Sequence, residues 1–206
     1  MEDVLEIYQR PQDAATPVVC VDETSKQQIQ EIRHPLPIVE GLPSRYDSHY
    51  QRNGVSNLFM IFAPLLGFRH VEVTDKRTAI DFAHICRDLV DIHFPGAEKI
   101  LLVCDNLNTH KPASVYKAFP PDEARRIVEK LAFHYTPKHG SWLNMAEIEL
   151  SVLSRQCLSR RIPDQETLKC EVQAWQDRRN QQRATVNWQF THEDARIKLK
   201  TLYPAV

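Results

Sequence analysis

Apolar positions along the chain follow two spacings, and each spacing predicts one kind of element. Short continuous apolar runs predict buried strands at 17–24 (PVVCVDET), 99–104 (KILLVC) and 131–137 (LAFHYTP). Two further runs, VSNLFMIFAPLLG and RHVEVTD, predict antiparallel strands that reverse near Gly67. The dipeptide Asn53-Gly54 just before them is typical of a tight turn.

Elsewhere apolar residues recur every three or four positions, which is typical of helices with one buried face. Helices are predicted at 1–10, 78–94, 121–130, from Trp142 to Arg161, and across 164–183. The predicted buried faces are Phe82, Ile85, Cys86, Leu89 and Ile92 in the helix at 78–94, and Leu168, Val172 and Trp175 in the last helix. Residues 33–47 hold three prolines and a glycine, which predicts an ordered loop.

The order strand, strand pair, helix, strand, helix, strand, helix, helix predicts one mixed sheet flanked by helices. This is an α/β fold. A chain of 206 residues suits a single domain with a well-packed core. With 42% hydrophobic and 26% charged residues it has the composition of a soluble globular protein.

The net charge of −1 hides an asymmetry along the chain. Residues 1–110 carry 10 Lys and Arg against 16 Asp and Glu, whereas residues 111–206 carry 16 against 11. A basic surplus of this kind is either a set of solvated helix faces or a surface for a polyanion. The five cysteines form no CxxC pair, which predicts reduced thiols and a cytoplasmic protein.

Candidate chemistry begins with two acids that directly follow buried strands, Asp22 after VVCV and Asp105 after LLVC. Functional groups of open α/β sheets collect at the carboxyl ends of strands, so neighbouring strands would bring these carboxylates together. Two adjacent carboxylates repel each other unless a cation compensates them, and hard oxygen ligands suit Mg²⁺ or Mn²⁺. Alternatively, each aspartate merely caps a loop.

Several other kinds of site are excluded by missing motifs. VVCVDE is like a Walker B strand, but no glycine begins a phosphate-binding loop. HExxH, GxSxG and GxGxxG are absent as well. His110, His134 and His139 have spacings that match no zinc template, which favours structural or substrate-contacting roles and leaves metal ligation as the alternative.

Five stretches carry a resemblance to a known family: CVDE, RNG, HVEVTDKRTAIDF, VCDNLNTHKP and the long HYTPKHGSWLNMAEIELSVLSRQ. Through them the chain resembles the catalytic domain of bacterial insertion-sequence DDE transposases related to the mariner superfamily. The resemblance implies an RNase H-like fold with a central mixed sheet of about five strands. It also implies an Asp, Asp, Glu triad that holds two Mg²⁺ ions, for which Mn²⁺ substitutes.

Transferred by motif, the catalytic and metal-binding residues are Asp22, Asp105 and Glu147. Glu149 is the competing third acid, but two helical positions differ by about 200°, so only one of the two glutamates faces the site. The motif favours Glu147 and leaves Glu149 as a solvent-facing or ion-paired residue. Strand alternation directs Glu23 to the face opposite Asp22.

The resemblance further implies metal-dependent DNA cleavage and strand transfer, with transposon ends and target DNA as partners. Substrate-positioning candidates are His110, Lys138, Asn144 and Trp142, the last of which fits a core position equally well. Arg155, Arg160 and Arg161 are candidates for phosphate contacts.

The resemblance also sets expectations for the organisation of the chain. Residues 1–16 are expected to be a residual linker helix and 17–206 the catalytic domain. No helix-turn-helix module precedes this domain in the sequence, so a homodimer or a complex with a helix-turn-helix chain is expected at the nucleoid. The alternatives are a non-catalytic fragment that regulates by binding DNA or transposase, and a general RNase H-like nuclease. The spacing from Asp105 to Glu147 is several residues longer than is common in the family.

Overall fold

The computed structural model describes residues 1–32, 40–41, 49–138 and 140–200. Its strands are β1 (Val18–Glu31), β2 (Tyr50–Ala63), β3 (Phe68–Thr74), β4 (Ile100–Cys104) and β5 (Leu131–Tyr135). Its α-helices are α1 (Glu2–Tyr8), α2 (Ala79–Asp88), α3 (Pro112–Ala118), α4 (Pro121–Lys130), α5 (Met145–Leu153), α6 (Gln165–Gln181) and α7 (His192–Lys198). Wider π-helical turns extend α2 over Leu89–His93 and α5 over Ser154–Leu158, and a 3₁₀ turn covers Ser141–Leu143.

The five strands form one mixed sheet in the order β3-β2-β1-β4-β5. β1, β2 and β3 are antiparallel neighbours, whereas β4 is parallel to both β1 and β5. This arrangement confirms the mixed α/β sheet flanked by helices. Among the described residues, no helix has the length and apolar character needed to cross a membrane.

Each face of the sheet is covered by its own hydrophobic core. On one face Val18 and Cys20 of β1 pack with α1, α5, α6 and α7. On the other face Val19 and Val21 pack with α2, α3 and α4. Because successive residues of a strand point to opposite faces, the continuous apolar run in β1 supplies both cores.

Four expectations about local structure are wrong. β1 runs on to Glu31, past the predicted strand end at 24. Asn53-Gly54 lies within β2 and not in a turn, because the register between β1 and β2 shifts opposite it, between Gln27 and Ile29. The long predicted helix begins at Met145, after a 3₁₀ turn, and its final turns are π-helical. Within the α2 segment, Ile92 is exposed and does not join the buried face.

Two short helices, α3 and α7, are absent from the sequence-based expectations, and the predicted loop at 33–47 falls outside the described residues except at 40–41. α7 does carry a signal, because Thr191 and Asp194 form a capping box.

Candidate active site

Asp22 and Asp105 lie level with each other on neighbouring strands. β1 and β4 pair in parallel with Cys20 opposite Val103, so two residues further along the same register reaches Asp22 and Asp105. The side chains two positions before the acids, Cys20 and Val103, both belong to the hydrophobic core under α5. β4 ends directly before Asp105, whereas β1 continues past Asp22 to Glu31, so the expectation that a strand ends at each acid holds only for Asp105.

The third acid is carried by α5, whose first turn is tied to β1 by Asn144. The side-chain amide of Asn144 donates to the carbonyl of Val21 at 2.9 Å and to Oδ2 of Asp22 at 3.3 Å. Its side-chain oxygen accepts from the backbone N–H of Ala146 at 3.1 Å, which makes it the N-cap of the helix. Glu147 follows in the first turn, so one residue joins the start of its helix to Asp22.

The electrostatics of Asp22 show that the three acids influence one another. Burial raises the pKa of Asp22 to about 7, against a hydrogen bond from the backbone N–H of Glu23 that lowers it. Repulsion from the carboxylates of Glu23, Glu147 and Asp105 adds to the increase in the pKa of Asp22. Because burial and like charges disfavour the ionised form of Asp22, a cation beside it would strongly stabilise that form.

Glu149 is excluded as the third acid by its own contacts. Its side chain is 1% exposed and lies 2.9 Å from Nε of Arg69, measured from Oε1. Arg179 donates to the two oxygens of the same carboxylate at 2.6 and 3.1 Å. Glu149 therefore belongs to a buried ion-pair cluster, and Glu147 is the glutamate that interacts with Asp22.

His110 is buried between two carboxylates. Its Nδ1 is hydrogen-bonded to Asp105, and its Nε2 lies 3.2 Å from Oε2 of Glu23. Its ring also lies 4.4 Å from that of Phe82, centroid to centroid. Burial lowers the pKa of His110, but the two carboxylate partners outweigh it and raise the pKa to about 9.

The burial of His110 and of Asn144 differs from the expectation that both contact DNA. His110 is 1% exposed and Asn144 is fully buried, so each holds an acid in place and presents no surface to a phosphate. The role of Glu23 as a partner of His110 is missing from the sequence-based expectations. A signal existed, because alternation places Glu23 on the same face as the apolar Val19 and Val21, where a carboxylate needs a cationic partner.

A cavity of about 400 Å³ opens beside Asp105. Its lining residues are Asp105, Asn106, Leu107, Thr136, Pro137, Lys138 and Ser141. Lys138 is exposed there, so its ammonium group is available to an anionic ligand that reaches Asp105.

The three arginines proposed for phosphate contacts differ in their surroundings. Arg155 is exposed on the π-helical turn that follows α5. Arg160 forms an ion pair with Glu171. Arg161 donates to Glu31 at 2.9 Å and covers the ring of Tyr50 at 5.2 Å.

Trp142 does not occupy the core position that the sequence allowed. It is 42% exposed and packs in an aromatic cluster at the surface. Its ring centroid lies 6.4 Å from that of Trp188 and 5.9 Å from that of Phe190.

The three acids supply hard oxygen donors of the kind that Mg²⁺ and Mn²⁺ prefer. Their donor chemistry and the repulsion around Asp22 fit a divalent ion. Within the described ranges, however, no three His, Cys, Asp or Glu side chains stand close enough together to hold a metal ion. The carboxylate of Asp105 is instead hydrogen-bonded to His110.

Comparison with solved structures shows that the fold is RNase H-like. The paired-end complex of Mos1 transposase with the left transposon end matches with a TM-score of 0.59 and 13% identity over 89% of this chain. The Mos1 strand transfer complex matches with a TM-score of 0.58 and 13% identity over 88% of the chain. The Mos1 paired-end complex with Mg matches with a TM-score of 0.56 and 16% identity over 89%.

The chain spans 57%, 55% and 58% of these three transposase chains, respectively. No curated protein matches it at the level of sequence. A family model described as DDE superfamily endonuclease matches residues 17–169, which include Asp22, Asp105 and Glu147. The chain therefore belongs to the DDE superfamily endonucleases.

Proposed function

We propose that this chain is the catalytic domain of a transposase, which cuts DNA strands and joins the freed 3′ end to target DNA. The observation that carries the proposal is the convergence of three elements on Asp22. β4 places Asp105 level with it, and Asn144 connects it to the helix that bears Glu147. The family match across these residues supports the same function.

Asp22, Asp105 and Glu147 would hold two Mg²⁺ ions, for which Mn²⁺ substitutes. When bound, such ions activate the attacking water or 3′ hydroxyl and stabilise the charge on the leaving 3′ oxygen. The similar Mos1 structures were obtained with Mn and with Mg, which supports the choice of ion.

The protein side chains would orient the acids and the DNA. His110 holds Asp105, and Asn144 holds Asp22. Lys138 at the cavity would contact a phosphate next to the scissile bond, and Arg155 would contact the backbone further away. These contacts would depend on phosphate charge and not on base sequence, so the affinity for DNA would fall as the salt concentration rises.

DNA is the proposed partner, as transposon ends and as target. The similar Mos1 structures are complexes with a transposon end or strand transfer complexes, which supports this choice. We further propose that the chain works as a homodimer or with a helix-turn-helix chain, in the cytoplasm at the nucleoid.

The proposal is tested by incubating the purified chain with supercoiled plasmid DNA and Mg²⁺ or Mn²⁺. We expect nicking or strand transfer that EDTA abolishes and that Asp105→Asn reduces by at least 10²-fold, since a metal ligand is lost. Asp122→Asn, an exposed acid on α4, is the matched control and should keep full activity.

Activity that persists unchanged in Asp105→Asn would refute the metal assignment. A chain that binds DNA but never cuts it, with either metal, would instead identify a non-catalytic regulator.

A further inference from the structure

We propose that Tyr8 is a positioning residue for this active site and that it acts through Asn144 on Asp22 and Glu147. The inference rests on the proposed function, because it concerns the metal-binding residues assigned there. Tyr8 lies on α1, ahead of the residues 17–169 that match the family, so the family match assigns it no role.

The hydroxyl of Tyr8 bonds the two backbone groups on either side of Asn144. It donates to the carbonyl of Leu143 at 2.7 Å and accepts from the N–H of Met145 at 3.4 Å. Cys20 Sγ also lies 3.4 Å from the hydroxyl oxygen. Because the single hydroxyl proton is directed at Leu143, the thiol is the donor in that contact.

These bonds complete the N-terminus of a helix that begins in the protein interior. Met145 and Ala146 are at most 1% exposed, so water does not reach their N–H groups. The N–H of Ala146 bonds the Asn144 side chain, and that of Glu147 bonds the Asn144 carbonyl at 3.0 Å. The N–H of Met145 has the Tyr8 hydroxyl, which therefore satisfies a donor that would otherwise be buried without a partner.

Tyr8 is itself held rigidly. It is 4% exposed, and its ring centroid lies 5.3 Å from that of Trp188. Burial raises the pKa of the Tyr8 phenol well above its usual value, so the group stays protonated and remains a donor. α1 is anchored in turn by the buried Val4 and Leu5 and by the bond of Asp3 to His134 at 2.9 Å.

Asn144 connects Tyr8 to the two proposed metal-binding acids, Asp22 and Glu147. Its side chain touches Asp22, and its backbone starts the turn that contains Glu147. A shift of Asn144 therefore changes the position of Asp22 relative to Glu147, and the affinity for a metal ion depends on that relative position.

The first test measures Mn²⁺ binding to the full chain by calorimetry, without DNA. Tyr8→Phe removes one oxygen atom and leaves the ring in place. We expect it to weaken Mn²⁺ binding by about 10-fold, the lower end of the range for groups that orient metal ligands. Tyr116→Phe, at an exposed tyrosine of α3, should leave Mn²⁺ binding unchanged.

A second control separates positioning from general stability. Val172→Ala opens space in the same hydrophobic core and lowers the thermal midpoint without reaching the site. If Val172→Ala weakens Mn²⁺ binding as much as Tyr8→Phe does at the same loss of thermal midpoint, Tyr8 is a structural residue only and the proposal is overturned.

A double-mutant cycle tests the route through Asn144. Asn144→Ser keeps a capping side chain but loses the reach to Asp22. If Tyr8 acts through Asn144, the losses of Mn²⁺ affinity in Tyr8→Phe and Asn144→Ser do not add in the double variant. Additive losses, or no loss in Tyr8→Phe, would overturn the proposal.

A measurement on the unsubstituted chain keeps the inference testable if Tyr8→Phe does not fold. Tyrosines labelled with fluorine are followed by ¹⁹F NMR during a titration with Mg²⁺. Coupling is reciprocal, so the Tyr8 signal should shift with the same midpoint as Mg²⁺ binding. A Tyr8 signal that stays fixed while the metal binds would refute the coupling. Because binding is measured directly, a chain that binds metal but cuts no DNA refutes only the proposed function.

Discussion

At the scale of single residues, Asp22 and His110 have raised pKa values for opposite reasons: burial and neighbouring carboxylates disfavour the charged form of Asp22, whereas carboxylate partners favour the charged form of His110. Asp22 is buried beside three other carboxylates, and His110 is buried between Asp105 and Glu23. The folded protein therefore holds protons at both residues more tightly than the unfolded chain does. A cation bound beside Asp22 would relieve this repulsion, whereas the pairing of protonated His110 with its two carboxylates already stabilises the metal-free chain.

Asp22 predicts a defined dependence of stability on pH. Its pKa is raised to about 7 in the folded chain from 3.8, so folding is favoured below pH 4 and this contribution is lost as pH rises to 7. Asp22→Asn should therefore stabilise the metal-free chain at pH 8, by at most about 4 kcal/mol, and should have little effect near pH 4. Urea unfolding at several pH values measures this difference.

His110 acts in a later pH range, because its raised pKa of about 9 gives a contribution that is full below pH 6.5 and lost towards pH 9. In a plot of the free energy of unfolding against pH, Asp22→Asn should still show this second decrease between pH 6.5 and pH 9. If Asp22→Asn and the unsubstituted chain have equal free energies of unfolding at pH 8, the ionised Asp22 does not destabilise the folded chain.

At the scale of elements, α5 carries two glutamates that have different partners. Glu147 faces the site from the first turn, while Glu149 neutralises Arg69 and Arg179 on the inner side. The difference follows from helix geometry, because residues two apart on a helix point in nearly opposite directions. One helix therefore carries a glutamate that interacts with Asp22 and a glutamate that anchors the helix to Arg69 and Arg179.

The two glutamates should respond differently to the same substitution. Glu147→Gln is expected to abolish metal-dependent DNA nicking with a change of less than about 1 kcal/mol in the free energy of unfolding. Glu149→Gln leaves two arginines without a counter-charge and should destabilise the chain by about 3 kcal/mol or more. Nicking assays and urea unfolding of both variants test the assignment, and a stable, inactive Glu149→Gln would reverse it.

The elements also show which features are visible in the sequence. The apolar runs before Asp22 and Asp105 were predictable as strands, because such runs and the acids that follow them are local patterns, but the continuation of β1 from Asp22 to Glu31 was not. The bond from Tyr8 to Leu143 spans 135 positions and leaves no local trace. Asn53-Gly54 was misread for the same reason, since its place in β2 is decided by pairing with β1 and not by turn propensity.

At the scale of the whole molecule, the sheet separates two layers of helices. α5, which carries Glu147, packs with α6 and α7 on one face, while α2, α3 and α4 cover the other face. Arg155 follows α5 on the first face, whereas Arg126 pairs with Asp91 next to the second.

This separation predicts which cations contribute to DNA binding. Arg155→Ala should lower DNA affinity equally for all sequences and reduce the slope of log affinity against log salt by about 1. Arg126→Ala, on the opposite face, serves as the control and should leave the slope unchanged. Titrations of labelled duplex DNA at several salt concentrations measure both, and equal effects of the two variants would argue against a DNA-binding face.

The first and last helices of the described chain meet on one side of the sheet. Arg196 of α7 donates to the two carboxylate oxygens of Glu2 at 2.6 and 2.8 Å. α1 and α7 therefore lie beside each other, on the layer that also contains α5 and α6. A short linker that joins α7 to α1 would allow a circular permutant to be opened on the opposite layer, for example between α3 and α4. Such a permutant would leave Asp22, Asp105 and Glu147 in their present order in space while changing their order along the chain.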